Sequence, residues 1–293
     1  MPIQYIEPVF RPPSEAQSLI LPVTNGCSWN KCTFCEMYTA PQKKFSVRDE
    51  AQVLSESKQV AEQMIVQRGF LADGDALALS TRRLLTILQA IQEHLPTVNR
   101  VTSYCLPSNL KNKSVSELQE LADAGLKMVY VGAESGDDEV LARVNKGETY
   151  ASTLSALTKL GEAGIVRSVM ILNGLGGRSL SAQHADQSAA LMNAAQPEYL
   201  STLVVSFPLG DARFKERFTD FEPLDQHGLF IELQRLMSQL ELNNTVFRSD
   251  HASNYLPLKG TLGVDKQRML AQLQQAIEHP DTMALRQEWQ RGL

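Results

Sequence analysis

The sequence predicts an α/β protein, a partial (β/α)6 TIM-type barrel with a helical carboxyl-terminal extension. Three observations lead there. Short apolar runs alternate with longer stretches of helical period, the pattern of consecutive βα units around a parallel sheet. The alternation yields six candidate strands before Pro208, Gly210 and Pro223 break the rhythm. The length of 293 residues suits one barrel-sized unit plus additions.

The candidate strands cover residues 18–24, 70–72, 100–105, 127–133, 166–172 and 199–207, each rich in Val, Ile, Leu, Tyr or Phe. Between them, apolar residues at three- and four-residue spacing predict helices over 53–66, 84–94, 115–122, 154–162 and 185–194. Ser80 or Thr81 can cap one start. Ser114 can cap another, with Glu117 in capping-box position, and Gly125 and Gly164 sit where helices should stop. The pieces Leu121-Ala122-Asp123-Ala124-Gly125-Leu126 and Leu160-Gly161-Glu162-Ala163-Gly164-Ile165 read either as a weak internal repeat or as common αβ-loop chemistry. Residues 1–207 are expected to form the barrel core, with 1–17 as lead-in. Residues 208–293 form the extension, with a helix over about 224–242, an extended piece at 245–248 and a helical end over about 264–289.

Composition excludes several classes. The 43% hydrophobic and 21% charged fractions are those of an ordinary globular chain. No run approaches the roughly 18 apolar residues of a membrane span. Net charge is −5, which offers no basic footprint for nucleic acid. The amino terminus lacks a basic start and apolar stretch, so the expected location is the reducing cytoplasm. Of the 4 cysteines, Cys27, Cys32 and Cys35 crowd into one loop directly after the first candidate strand. Such crowding in a cytosolic chain favours a metal over a disulfide framework.

Soft thiolates select Zn, Cu(I) or iron–sulfur clusters. A closed zinc site normally takes a fourth protein ligand, and Cys105 is distant in sequence. A cubane held by three cysteines leaves one iron for an amino-acid chelate. A zinc-stabilised binding protein and a non-catalytic iron–sulfur carrier or sensor remain the alternatives. In a parallel barrel, a loop after a strand lies on the face where chemistry is done.

The loop Cys27-Ser28-Trp29-Asn30-Lys31-Cys32-Thr33-Phe34-Cys35 resembles that of the radical S-adenosylmethionine (radical SAM) superfamily, with an Elongator/MiaB/NifB-like core. The family's usual spacing is C-x3-C-x2-C. This chain has the variant C-x4-C-x2-C, with Phe34 at the family's aromatic position. The resemblance implies a [4Fe–4S] cluster on Cys27, Cys32 and Cys35, which also makes these the catalytic cysteines. It implies reductive cleavage of S-adenosylmethionine to a 5′-deoxyadenosyl radical, and hydrogen abstraction from a small organic substrate. An external electron donor such as flavodoxin or ferredoxin is implied too.

By the same resemblance, Asp73, Gly74 and Asp75 would hold the methionyl ammonium, although taken alone that stretch is better explained as an Asp-Gly turn. Glu134 would accept the ribose hydroxyls, and Arg143 or Lys146 would meet the methionyl carboxylate. Asn173 and the glycines after it would lie beside adenine. Cys105, Arg248 and His251 are the candidates for substrate contact, against the plainer readings of a buried small hydrophobe for Cys105 and a surface turn for the other two.

Overall fold

The computed structural model describes residues 2–291. It is a mixed α/β fold whose main sheet has eight strands, most of them parallel, the arrangement of a partial TIM-type barrel. By contact the chain divides into two compact units. One contains residues up to Asn30, Cys35–Val131 and Ser155–Arg167; the other contains Lys31–Phe34, Gly132–Leu154 and the residues from Ser168 onward.

In the first unit the strands β1 (Leu19–Pro22), β2 (Arg68–Ala72), β3 (Arg100–Tyr104) and β4 (Leu126–Glu134) pair in parallel in that order. Ile20 stands opposite Phe70, Phe70 opposite Thr102, and Thr102 opposite Met128. Helices α1 (Glu50–Ala61), α2 (Thr81–His94) and α3 (Val115–Asp123) supply the crossovers. Each begins where a side chain satisfies an orphan backbone donor, with Asp49, Ser80 and Ser114 as N-caps. Ser114 and Glu117 form the expected capping box. α2 buries Leu84, Ile87, Leu88 and Ile91, one stripe at helical spacing.

A small ribbon, Thr24–Asn25 paired antiparallel with Ser46–Val47, pins both ends of the cysteine-bearing loop. Gly26 starts that loop at φ 68°, and a Cβ there would fall 2.0 Å from the Lys43 carbonyl oxygen, so only glycine fits.

α4 (Asp138–Arg143) follows β4, and α5 (Tyr150–Glu162) leads to β5 (Val166–Asn173). The second unit continues through α6 (Gly177–Ala195), β6 (Tyr199–Val204), α7 (Ala212–Lys215), α8 (Gln226–Gln239), β7 (Val246–Ser249), β8 (Leu258–Thr261) and α9 (Lys266–Glu278). β5, β6 and β7 run parallel, while β8 returns antiparallel along β7. α6 packs on α8 and α8 on α9. Phe214, Phe218 and Phe221 join Val140, Val144, Leu172, Leu175 and Leu180 in one buried cluster, against which Phe34 packs.

The six expected strands are all present, and the sheet is wider than expected. The extended piece at 245–248 becomes a full member, with Leu200 opposite Phe247, and Leu258–Thr261 adds an unforeseen edge. Lys-Gly-Thr in that edge strand carries too little apolar alternation to announce itself. The first helix starts three residues earlier than its apolar pattern, because Asp49 caps it, and stops at Ala61; Ile65, which continued the pattern, is 84% exposed. The sixth strand ends at Val204 rather than 207, since Phe207 turns into the phenylalanine cluster. Pro280 closes α9, leaving short 3-10 turns where a longer helix was expected.

Phe247 is fully buried on β7. Phe247→Ala should therefore lower the stability of the folded chain by about 3–5 kcal/mol, read as a reduced midpoint in chemical denaturation.

Candidate functional site

Within the first unit, the cysteine loop and the turn after β2 meet through buried acids. Asp75 accepts from the Ser28 hydroxyl and, at 3.3 Å, from the Ser28 amide, so the residue next to Cys27 is tied to the turn. Asn109 Nδ2 reaches the same Asp75 oxygen at 3.5 Å. The other oxygen, Oδ1, is buried and has no hydrogen-bond partner in the protein. Burial pushes the Asp75 carboxyl up, opposed by the hydrogen bonds from Ser28 and Asn109.

Asp73 is answered differently. Lys43, itself 1% exposed, forms an ion pair with Asp73, and its ammonium also donates to the Ile6 carbonyl at 2.8 Å. Tyr38 donates to Asp73 Oδ1 at 3.3 Å, and burial followed by the Asp73 charge pushes the Tyr38 phenol up, so it stays a donor. Between the two acids, a Cβ on Gly74 would fall 2.6 Å from the Tyr38 ring, which leaves room only for glycine. Cys105 is buried after β3, its sulfur 3.4 Å from the Leu106 carbonyl oxygen. That position agrees with a packed small side chain.

Within the second unit, the Lys31–Phe34 segment docks on the turn after α4. Thr33 donates to the Val144 carbonyl through its amide at 3.0 Å and its hydroxyl at 3.3 Å, and Asn145 Nδ2 donates to the Lys31 carbonyl at 3.1 Å. Cys32 Sγ lies 4.0 Å from the Lys146 carbonyl oxygen. Lys146 then links two predicted site residues. Its ammonium is 5.9 Å from the Phe34 ring centroid and 3.0 Å from Glu134 Oε1, and the ion pair is nearly closed to solvent.

Glu134 sits at the end of β4 with φ 65°, a left-handed conformation unusual for a side chain of this type. Its second oxygen, Oε2, is buried without a hydrogen-bond partner in the protein. A Cβ on Gly132 would fall 2.1 Å from Glu134 Oε1, so the carboxylate folds back over its own strand only because residue 132 is glycine.

Asn173, at the end of β5, donates to the Leu229 carbonyl on α8 at 3.1 Å. Arg143 is engaged outside this group, with Glu139 at 2.8 Å and Asp220 at 2.6 Å. His251 accepts from the Ser253 amide at 3.1 Å, and burial with the nearby Arg286 charge lowers its pKa. Arg248 donates to the neighbouring Phe247 carbonyl at 3.0 Å. Among the described residues, no hydrogen bond or ion pair joins Arg248 or His251 to Glu134 or Asn173. Sequence reasoning passed over Lys43 and Tyr38, and it named Lys146 only as a carboxylate contact. Tyr38, three residues past Cys35, was the one visible signal; nothing local marks Lys43 as a buried cation.

The sequence profile of the Radical SAM superfamily matches residues 21–188, more than half of the chain. The chain belongs to the radical SAM superfamily. Among curated proteins, no match to the sequence was found. Solved radical SAM structures share its fold. Coproporphyrinogen III oxidase (HemN) from Escherichia coli aligns with a TM-score of 0.58 and 15% identity, over 75% of this chain and 51% of that one. The radical SAM methyltransferase TsrM from Kitasatospora setae aligns at 0.52 and 22%, over 64% and 36%. Methylornithine synthase (PylB) aligns at 0.54 and 13%, over 87% and 68%. The chain thus spans about half the length of HemN and about a third of TsrM.

Enzymes of the radical SAM superfamily bind a [4Fe–4S] cluster and cleave S-adenosylmethionine. The residues present fit both groups. Three thiols within nine residues are soft donors for iron. Three buried carboxylate oxygens lack a hydrogen-bond partner, Glu36 Oε2 beside Cys35, Asp75 Oδ1 and Glu134 Oε2, and the last two are acceptors suited to a ligand's ammonium and hydroxyl donors. Among the described residues, no group of three or more His, Cys, Asp or Glu side chains converges tightly on a single-ion site. Also among them, no helix is long and apolar enough to cross a membrane.

Lys43→Met would leave Asp73 buried without its cation. At neutral pH this should cost about 3–5 kcal/mol of stability. Burial already raises the Asp73 pKa in the folded state, and losing Lys43 raises it further. The penalty should therefore shrink as pH falls through the folded pKa and the carboxyl takes up a proton, and grow as pH rises through it. Denaturation midpoints of both proteins across a pH series measure this difference.

Proposed function

We propose that the chain uses Cys27, Cys32 and Cys35 to hold the cluster, the turn after β2 and the end of β4 to hold S-adenosylmethionine, and acts on a small organic substrate. The observation that carries this reading is the pair of buried carboxylate oxygens with no protein partner, at the two motif positions whose acids are expected to face a ligand. Burying an acceptor unpaired is unfavourable by about 1–3 kcal/mol, a cost that a ligand's donors would relieve.

The chain's own residues divide the work. Asp75 Oδ1 would accept the methionyl ammonium, while Asp73, neutralised by Lys43, keeps the turn in place. This narrows the three-residue expectation of Asp73, Gly74 and Asp75 to one charged contact, with Gly74 giving close backbone approach. Glu134 Oε2 would accept from the ribose hydroxyls, oriented by Lys146 on its other oxygen. Phe34 shields that ion pair, and Asn173, tied to α8, would hold the β5 end flat against adenine. Arg248 and His251 are proposed substrate contacts, carried by the extension of residues 208–293. When bound and reduced by an external low-potential donor such as flavodoxin or ferredoxin, the cluster and cofactor supply a 5′-deoxyadenosyl radical that takes hydrogen from the substrate.

The test is anaerobic reconstitution with iron and sulfide, reduction with dithionite, and detection of 5′-deoxyadenosine. The wild-type protein should form it, and Cys32→Ala should lose both cluster and product. Absence of product from the loaded wild-type protein would overturn the proposal. Glu134→Gln should keep its iron and sulfide content but raise the KM for S-adenosylmethionine about ten-fold or more, the loss expected for charge-assisted hydrogen bonds. Unchanged KM would remove Glu134 from the ribose role.

A further inference from the structure

Within the second unit, α6 and α8 carry two buried titratable side chains that the proposed function leaves without a task. His184 and Glu232 are each 1–2% exposed, and His184 Nε2 lies 3.8 Å from Glu232 Oε1. Their outer contacts give the pair meaning. Glu232 Oε1 accepts the Gly174 amide at 2.5 Å, and Oε2 accepts the Ser181 hydroxyl at 2.6 Å. On the other side, His184 Nδ1 is 2.7 Å from the Ser135 hydroxyl, which also accepts the Asp137 amide at 3.0 Å. Ser135 directly follows Glu134, and Gly174 directly follows Asn173.

We propose that His184 and Glu232 are positioning residues for the S-adenosylmethionine nucleoside, holding the backbone beside Glu134 and the backbone beside Asn173 at a fixed separation. This rests on the reading of those two strand ends as ribose and adenine contacts.

Several features of the packing agree with a brace rather than generic core filling. Gly174 has φ 85°, and a Cβ there would fall 2.9 Å from Leu229 Cδ2, so the turn touches α8 as closely as glycine permits. α8 grips both residues of the β5 end, Asn173 through the Leu229 carbonyl and Gly174 through the Glu232 carboxylate. α6 grips the β4 end in a similar way. The Gly136 amide donates to Ser188 Oγ at 2.9 Å, and a Cβ on Gly136 would fall 2.2 Å from the Gln187 carbonyl oxygen. A carboxyl group as deeply buried as that of Glu232 is expensive to retain where an apolar residue would pack. Its burial pushes its carboxyl up, opposed by the nearby His184 and by the bonds from Ser181 and Gly174.

The test uses the cluster-loaded, full-length protein. KM and kcat are measured for 5′-deoxyadenosine formation, and binding of S-adenosylhomocysteine is measured separately as a probe that carries the nucleoside without the reactive sulfonium. Glu232→Ala should raise the KM for S-adenosylmethionine about ten-fold and weaken S-adenosylhomocysteine in parallel. Its kcat should stay within about two-fold and its iron content unchanged. Glu232→Gln retains an acceptor for Gly174 and should recover most of the loss.

Ser135→Ala is the gentler variant, to be decisive if Glu232→Ala does not fold. It removes the His184 contact together with the acceptor of the Asp137 amide, leaves Glu232 and the β5 end untouched, and should raise KM about three- to five-fold at constant kcat. Unchanged KM in Ser135→Ala, or an equal fall of kcat and iron content in Glu232→Ala that glutamine does not reverse, would overturn the inference. If Glu134→Gln weakens the cofactor while the brace variants do not, the brace alone fails. If Glu134→Gln also leaves affinity unchanged, the nucleoside reading beneath it fails.

Discussion

A carboxylate buried at the end of a strand has to be compensated, and the candidate site is organised around how fully each of three acids meets that constraint. Asp73 is neutralised by a buried lysine and a tyrosine hydroxyl. Asp75 is half answered, with one oxygen held by Ser28 and Asn109 and the other bare. Glu134 is also half answered, with Lys146 on one oxygen and nothing on the second. A low-dielectric interior makes each unanswered oxygen a standing demand for a donor. The pattern therefore separates an acid fully compensated within the protein from two that each keep a bare oxygen, a distinction that residue type alone does not make.

The neighbours of these acids follow from the same constraint. Glycines at 74 and 132 stand where a Cβ would collide with the Tyr38 ring or with Glu134 itself. The cysteine loop is fastened by its non-cysteine residues. Ser28 binds Asp75 in one unit, while Thr33 and Asn145 tie the middle of the loop to the turn after α4 in the other. Such fastening matters for a cluster loop, since ligand residues must be held by their surroundings to keep a metal centre's geometry. The profile match and the three thiols of this loop point the same way.

Much of the architecture was legible beforehand. The six candidate strands were visible because parallel strands are apolar on both faces and stand out as short runs between helical periods. Ser114 with Glu117, and the glycines at 125 and 164 with φ of 108° and 73°, could be read because capping is a local matter of three or four residues. The edge strand Leu258–Thr261 was missed because it depends on pairing with Val246–Ser249 rather than on its own composition. The first helix was misplaced by a few residues because Asp49, a polar residue outside the apolar pattern, sets its start.

The sequence by itself determined the cysteine triad, the order of the strand-end motifs and hence the family, since each is written in a few consecutive residues. Only the tertiary structure decided which acid is spent on Lys43, which oxygens lack partners, and that His184 and Glu232 bridge two strand ends. Those partners stand about 30 to 60 residues apart along the chain. Charge compensation depends on distance in space and on solvent exclusion, and neither is encoded in local spacing.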